Sequence, residues 1–145
     1  MMFIEGGKKY LDVIVDCIRE ELNTANKNIP VFVQHFLRPS DTGRVPFVSV
    51  ILDRIDKSSS TIGRALQLAN IYYLITLVEK YKEETLFTDL PTIEQALMKV
   101  QGRLPQETES ADIISIEVAY EEIGNLVLQA SQISFVVEAS LEYPY

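Results

Sequence analysis

The period of hydrophobic and polar positions changes several times along the chain, and each change marks an element. Leu11, Ile14, Val15, Ile18 and Leu22 recur at helical spacing, while Asp12, Asp16, Arg19 and Glu20 fill the opposite side. The spacing predicts an amphipathic helix from about Lys8 to Asn23, ended by the Asn- and Thr-rich stretch 23–28. Two runs rich in Val, Ile and Phe follow, IPVFVQHFL (Ile29–Leu37) and VPFVSVILD (Val45–Asp53). The turn formers of RPSDTGR between them predict a β-hairpin. DRIDKSSSTIGR (Asp53–Arg64) then reads as a polar, poorly ordered loop.

The segment ALQLANIYYLITLVEKY (Ala65–Tyr81) is apolar all round at helical period, yet rich in Ile, Tyr, Thr and Val. The β-branched and aromatic content favours a strand over about Ala69–Glu79, buried on both faces, with a helix as the other reading. Pro91 opens a second helix, TIEQALMKVQGRL, with Ile93, Ala96, Leu97 and Val100 on one side and Gly102 and Pro105 at its end. In DIISIEVAY, Ile114, Ile116, Val118 and Tyr120 alternate with Ser115, Glu117 and Ala119. The closing ISFVVEASLEYPY alternates again: Ile133, Phe135, Val137, Ala139, Leu141 and Tyr143 against Ser134, Val136, Glu138, Ser140 and Glu142. That strand begins near Leu126 or Gln129.

Helix, hairpin, loop, strand, helix and two strands make an α+β chain. The expected architecture is a mostly antiparallel sheet of four to five strands, two helices packed on one face and the other face partly open. At 145 residues and 47% apolar, one domain spanning 1–145 buries an adequate core. The net charge of -8 is unevenly placed. Residues 1–103 hold all 13 Lys and Arg with 13 acids, whereas residues 104–145 hold eight acids and no base. Such a surface repels nucleic acid and attracts basic partners, or is a solvated acidic face that aids solubility.

Little in the sequence carries chemistry. The lone Cys17 sits on the apolar side of the first helix, which suits a buried, unreactive thiol in a reducing compartment. His35 is the only histidine, and no paired zinc-ligand spacing surrounds it. Ser58–Ser60 lack a nucleophile-elbow frame, and phosphate-loop and dinucleotide motifs are missing. The expectation is no enzyme, no cofactor and no metal. An enzyme built from Asp, Glu, Tyr and His35 is the least favoured reading. Tyr72, Tyr73, Tyr143 and Tyr145 lack the basic patch that nucleic-acid stacking needs. The longest apolar run, Ile71–Val78, is too short to span a membrane, and MMFIEGGKKY does not read as a secretory signal. Residues 38–64 are locally basic, with Arg38, Arg44, Arg54, Lys57 and Arg64 against Asp41, Asp53 and Asp56. Arg54, Lys57 and Arg64 of one copy against Glu138 and Glu142 of the next would form a head-to-tail contact able to close into a ring.

The layout resembles the tail terminator proteins of long-tailed bacteriophages. The likeness rests on YLDVIVDCIREEL, PFVSVILD with its polar continuation, YYLITLVEKY, TIEQALMKV and QISFVVEASLEYPY, and covers nearly the whole chain. It is a likeness of layout and size, not of invariant motifs. The resemblance implies a structural virion protein, assembled in the host cytoplasm. Its homo-oligomeric ring, typically a hexamer, would cap the last ring of the tail tube and join tail to neck and connector. It implies no cofactor and no active site, so no individual residue roles carry over. The other reading is a small bacterial α+β adaptor domain whose acidic C-terminal face binds a basic protein.

Overall fold

The computed structural model describes residues 3–34, 45–62, 66–82, 84, 87–104 and 108–142. Two helices lie on one face of a five-stranded sheet, giving the α+β class read from the sequence. In chain order these are α1 (Phe3–Thr24), β1 (Val31–Val33), β2 (Phe47–Ile62), β3 (Leu66–Lys80), α2 (Asp89–Met98), β4 (Thr108–Ile123) and β5 (Leu126–Glu142). The strand order is β1-β2-β3-β5-β4.

Helix α1 buries Tyr10, Leu11, Ile14, Val15, Cys17, Ile18 and Leu22, the stripe its periodicity marks. It begins five residues before the expected start, so Gly6 and Gly7 lie inside it. Packing explains why glycine is placed there despite its cost in a helix. A Cβ at Gly7 would stand 3.3 Å from Leu52 Cδ2, and the Tyr73 hydroxyl donates to the Gly7 carbonyl at 2.7 Å. The helix backbone thus rests directly on β2 and β3. Helix α2 stops at Met98, six residues short of the expected Leu104, and a 3-10 turn at Gln101–Arg103 follows. Lys99 to Glu21 (2.7 Å) and Arg103 to Glu20 (2.6 Å) join the helices at their sheet-distal surface.

The sheet corrects two expectations. The first hairpin does not form: β1 is three residues long and runs parallel to β2, pairing Val31–Val33 with Val48–Val50. Gln34, with φ 54, turns the chain out of the strand. Its N–H donates to Val50 O (2.8 Å), and its side-chain Oε1 accepts from Leu52 N (2.6 Å). The turn formers that suggested a hairpin fall within 35–44, outside the described residues. Second, Asp53–Ile62 is strand, not loop. β2 continues to Ile62 in an antiparallel ladder with β3, irregular at Leu52/Arg54 and Lys57/Thr61. The three serines fall in the second irregularity, between the pairs Lys57–Ala69 and Thr61–Gln67, where the ladder to β3 loses its regular register. The closing strand β5 is internal to the sheet. It starts at Leu126 and lies between β3 and β4, paired with both.

The strand reading of Ala65–Tyr81 holds, as β3. Ala69, Ile71, Tyr73, Ile75 and Leu77 face the helices, joined by Val48 and Val50 of β2 and Ile133, Phe135, Val137 and Ala139 of β5. Thr76 and Val78 are buried on the other face, so the C-terminal half of β3 is buried on both sides, as expected.

Candidate functional site: an open sheet edge

Antiparallel partners share a face, so the pairings place every charged residue. Arg54 pairs with Tyr72, and Asp56 with Asn70, which in turn pairs with Glu138; all these lie on the face away from the helices. Lys57 pairs with Ala69 on the helix face. The Arg54 guanidinium lies 4.0 Å over the Tyr72 ring and contacts Asp56 Oδ2 at 3.0 Å and Asp53 Oδ2 at 3.6 Å. Lys57 Nζ lies 5.6 Å from the centre of the Phe3 ring. Arg64 is outside the described residues. Glu142 pairs with Leu66 through its backbone, and its side chain is outside the described set. Arg54, Lys57, Glu138 and Glu142 therefore share one end of the sheet, with Arg54 and Glu138 two strands apart on a common face.

That face carries two shallow concavities. One, of about 320 Å³, is lined by Asp53, Arg54, Tyr72, Leu74, Ile114 and Ser134, and the other, of about 360 Å³, by Ser49, Ile51, Leu74, Thr76 and Gln132. Among the described residues no group of three His, Cys, Asp or Glu is placed to hold a metal. Cys17 is buried, and burial, the main cause, raises its thiol pKa. No helix among the described residues is long and apolar enough to cross a membrane.

The most unusual surface is β4. It is 16 residues long, pairs among the described residues only with β5, and contains Glu109, Asp112, Glu117, Glu121 and Glu122 without a single base. A bulge between Ile113 and Ser115 shifts the alternation. Ala111 and Ile113 pair with Val137 and Phe135 and pack on the core. Beyond the bulge Ile116, Val118 and Tyr120 take over that face, aligned with Ile133, Ser131 and Gln129. They stay 39%, 36% and 56% exposed. Tyr120 meets Tyr81 edge-on, with ring centres 5.5 Å apart. The backbone edge divides the same way. Ala111 N donates to Gln101 Oε1 (2.6 Å) and Ile113 N to Asp112 Oδ1 (2.8 Å), so the first half of the edge is capped by side chains. From Ile116 onward the edge combines outward backbone groups with an apolar row. The alternation of this segment was visible in the sequence; its position at an edge was not.

A second polar cluster escaped sequence reading. Glu79, Gln129 and Ser131 are buried on the helix face of β3 and β5. Gln129 Nε2 donates to Glu79 Oε1 at 3.3 Å, while Gln129 Oε1 and Ser131 Oγ have no hydrogen-bond partner among the described residues. Asp89, at the start of α2, stands against Glu79 and is held by Lys27 Nζ at 2.5 Å. Burial first, and then the Asp89 carboxylate, push the Glu79 pKa up to about 8, against the opposing pull of Lys27. The cluster ties the end of α1, the start of α2 and the sheet together. No protein-family model and no curated protein matches this chain.

Proposed function

We propose that this chain is a structural subunit of a phage tail that forms a ring of six copies, in the manner of the tail terminators it resembles, capping the tail tube and joining it to the neck. The observation that carries the reading is the order and length of the elements. A long N-terminal helix, a β2–β3 hairpin of 16- and 15-residue strands, a short helix and a β4–β5 hairpin form one sheet with a long free margin. A subunit of a ring wall needs two different lateral margins, and β2 and β4 provide them. The partners are further copies of the chain, the last ring of the tube, and the neck.

The test is the mass of the purified protein by light scattering across concentration and salt, followed by co-sedimentation with purified tail tubes. A discrete species near six times 16.4 kDa, or assembly of that ring on tubes, supports the reading. A protein that stays monomeric and ignores tubes sinks it. The adaptor reading draws on the all-acidic β4 and would then be pursued by testing binding to a basic protein.

A further inference from the structure

The two lateral margins of the sheet differ in a way that selects an occupant. Among the described residues β1 covers only Val48–Val50 on one side, and β2 from Asp53 to Ile62 forms the margin there. On the other side β4 forms it throughout. Successive pairings β2–β3, β3–β5 and β5–β4 are all antiparallel, so β4 runs opposite to β2. A second copy set beside the first in the same orientation therefore brings β2 against β4 antiparallel, the more stable ladder.

Side chains agree on both faces. Ile55 of β2 lies on the helix face, as do Ile116, Val118 and Tyr120 of β4. Arg54 lies on the opposite face, as do Glu117 and Glu121. The β2 margin is flanked by α1, whose Arg19 reaches Val31 O of β1 at 3.1 Å and so marks that flank of the helix. Lys8 and Ile4 lie three and four turns before Arg19 along the same flank, and Ile4 is 70% exposed. On β2 Arg54 and Lys57 alternate with Asp53 and Asp56, which contact Arg54, so this margin carries bases and acids in equal number beside Lys8 and Ile4 of α1, whereas β4 carries apolar groups and acids alone. Pairing β4 with another β4 about a two-fold axis would instead set two strands that carry acids and no base against each other.

We propose that the margin of β4 from Ile116 to Glu122 binds β2 of a second copy, from Asp53 toward Ile62, giving a continuous sheet across the subunit boundary. This deepens the ring reading above and rests on it only for closure. The neighbour's β1 must be cleared, which sets Glu121 beside the neighbour's Arg54. Glu121 lies in the row of Leu128 and Lys80. Reaching it slides the neighbour about eight residues, about 26 Å at ~3.3 Å per residue, for every four-strand repeat of about 19 Å. The strands then incline about 50–55° to the ring axis, steeper than the roughly 35–45° of closed barrels.

Paired cysteines test this in a Cys17→Ala background. Glu117→Cys and Glu121→Cys are each combined with Arg54→Cys or Asp56→Cys, and every substitution is also made singly. All four sites are exposed or half-exposed, so the fold tolerates them. Under mild oxidation at least one double variant should give a ladder of covalent multimers, while singles stay near background. Disulfides require Cα separations under about 7 Å, so a ladder reports β2–β4 adjacency directly. Efficient dimers from Glu117→Cys or Glu121→Cys alone would mean β4–β4 pairing and overturn the proposal. So would the absence of cross-links in all four doubles at the highest attainable concentration. A hexamer-sized species without cross-links refutes the edge pairing but leaves the ring, whereas an open-ended ladder without a discrete closed species keeps the pairing and refutes the ring.

Discussion

Replacing Glu79 by Gln should flatten the dependence of stability on pH above about pH 5. Glu79 is 3% exposed and packed beside Asp89, and its pKa is about 8. In the unfolded chain it titrates near 4.5. The folded state therefore keeps a proton that the unfolded state releases, and stability falls as pH rises between these values. The contribution is fully present below about pH 4.5 and lost by the time pH has risen through 8. A difference of about 3.5 pK units at ~1.4 kcal/mol each gives roughly 4–5 kcal/mol, an upper figure because local opening lets the carboxylate reach water. Against the ~5–15 kcal/mol of a whole domain this is a large fraction. Urea unfolding followed by circular dichroism at pH 5, 6, 7, 8 and 9 measures it. Wild type should lose several kcal/mol from pH 5 to 8, with a slope approaching ~1.4 kcal/mol per pH unit. Glu79→Gln keeps the shape, cannot ionise, and should be nearly flat over that window and more stable than wild type at pH 8. Parallel curves for the two proteins would refute the reasoning, because the slope would then belong to other groups.

Four further outcomes follow from the packing. Gly7→Val should destabilise by about 1–3 kcal/mol in thermal unfolding, since its Cβ meets Leu52 at 3.3 Å and its branches have less room still. Tyr73→Phe should cost about 1 kcal/mol in the same assay by removing the buried hydroxyl that donates to the Gly7 carbonyl at 2.7 Å. Phe135→Ala, in the centre of β5 and 1% exposed, should cost about 3–5 kcal/mol by opening a cavity. Cys17, 3% exposed, should react with a thiol reagent only at the rate of unfolding, and fast modification in native buffer would contradict its burial.

The elements that were legible share a feature: their signal is contained in their own residues. The periodic stripe Leu11–Leu22 and the alternation Ile133–Ala139 each declare period and buried face, and both are as expected. β3 was readable from its β-branched and aromatic content although its period was ambiguous. What failed depended on partners. Asp53–Ile62 has loop composition, and only the ladder to Leu66–Tyr73 makes it strand. β1 has strand composition, but β2 is claimed by β3 on one side, which leaves β1 a short parallel pairing on the other. The apolar alternation of β4 indicated a buried face, yet strand order puts half of it at a margin. No local pattern encodes strand order. Glu79 was equally invisible, because its setting is assembled from Lys27, Asp89 and Gln129, up to 52 residues away in the chain.

The position of β5 sets the order of events during synthesis. Residues 126–142 form the strand that joins β3 to β4, and the two have no direct pairing. While a nascent chain is shorter than that, α1, α2 and the β2–β3 hairpin can gather, but β4 has nothing to pair with and Ile71, Tyr73 and Ile75 lack their β5 neighbours. Folding of the sheet is therefore held back until Glu142 has cleared the ribosome, a long-range closure of the slow kind. A chain cut short of Leu126 would have no ordered β4 margin to offer, so truncated copies would be excluded from any assembly that selects on it.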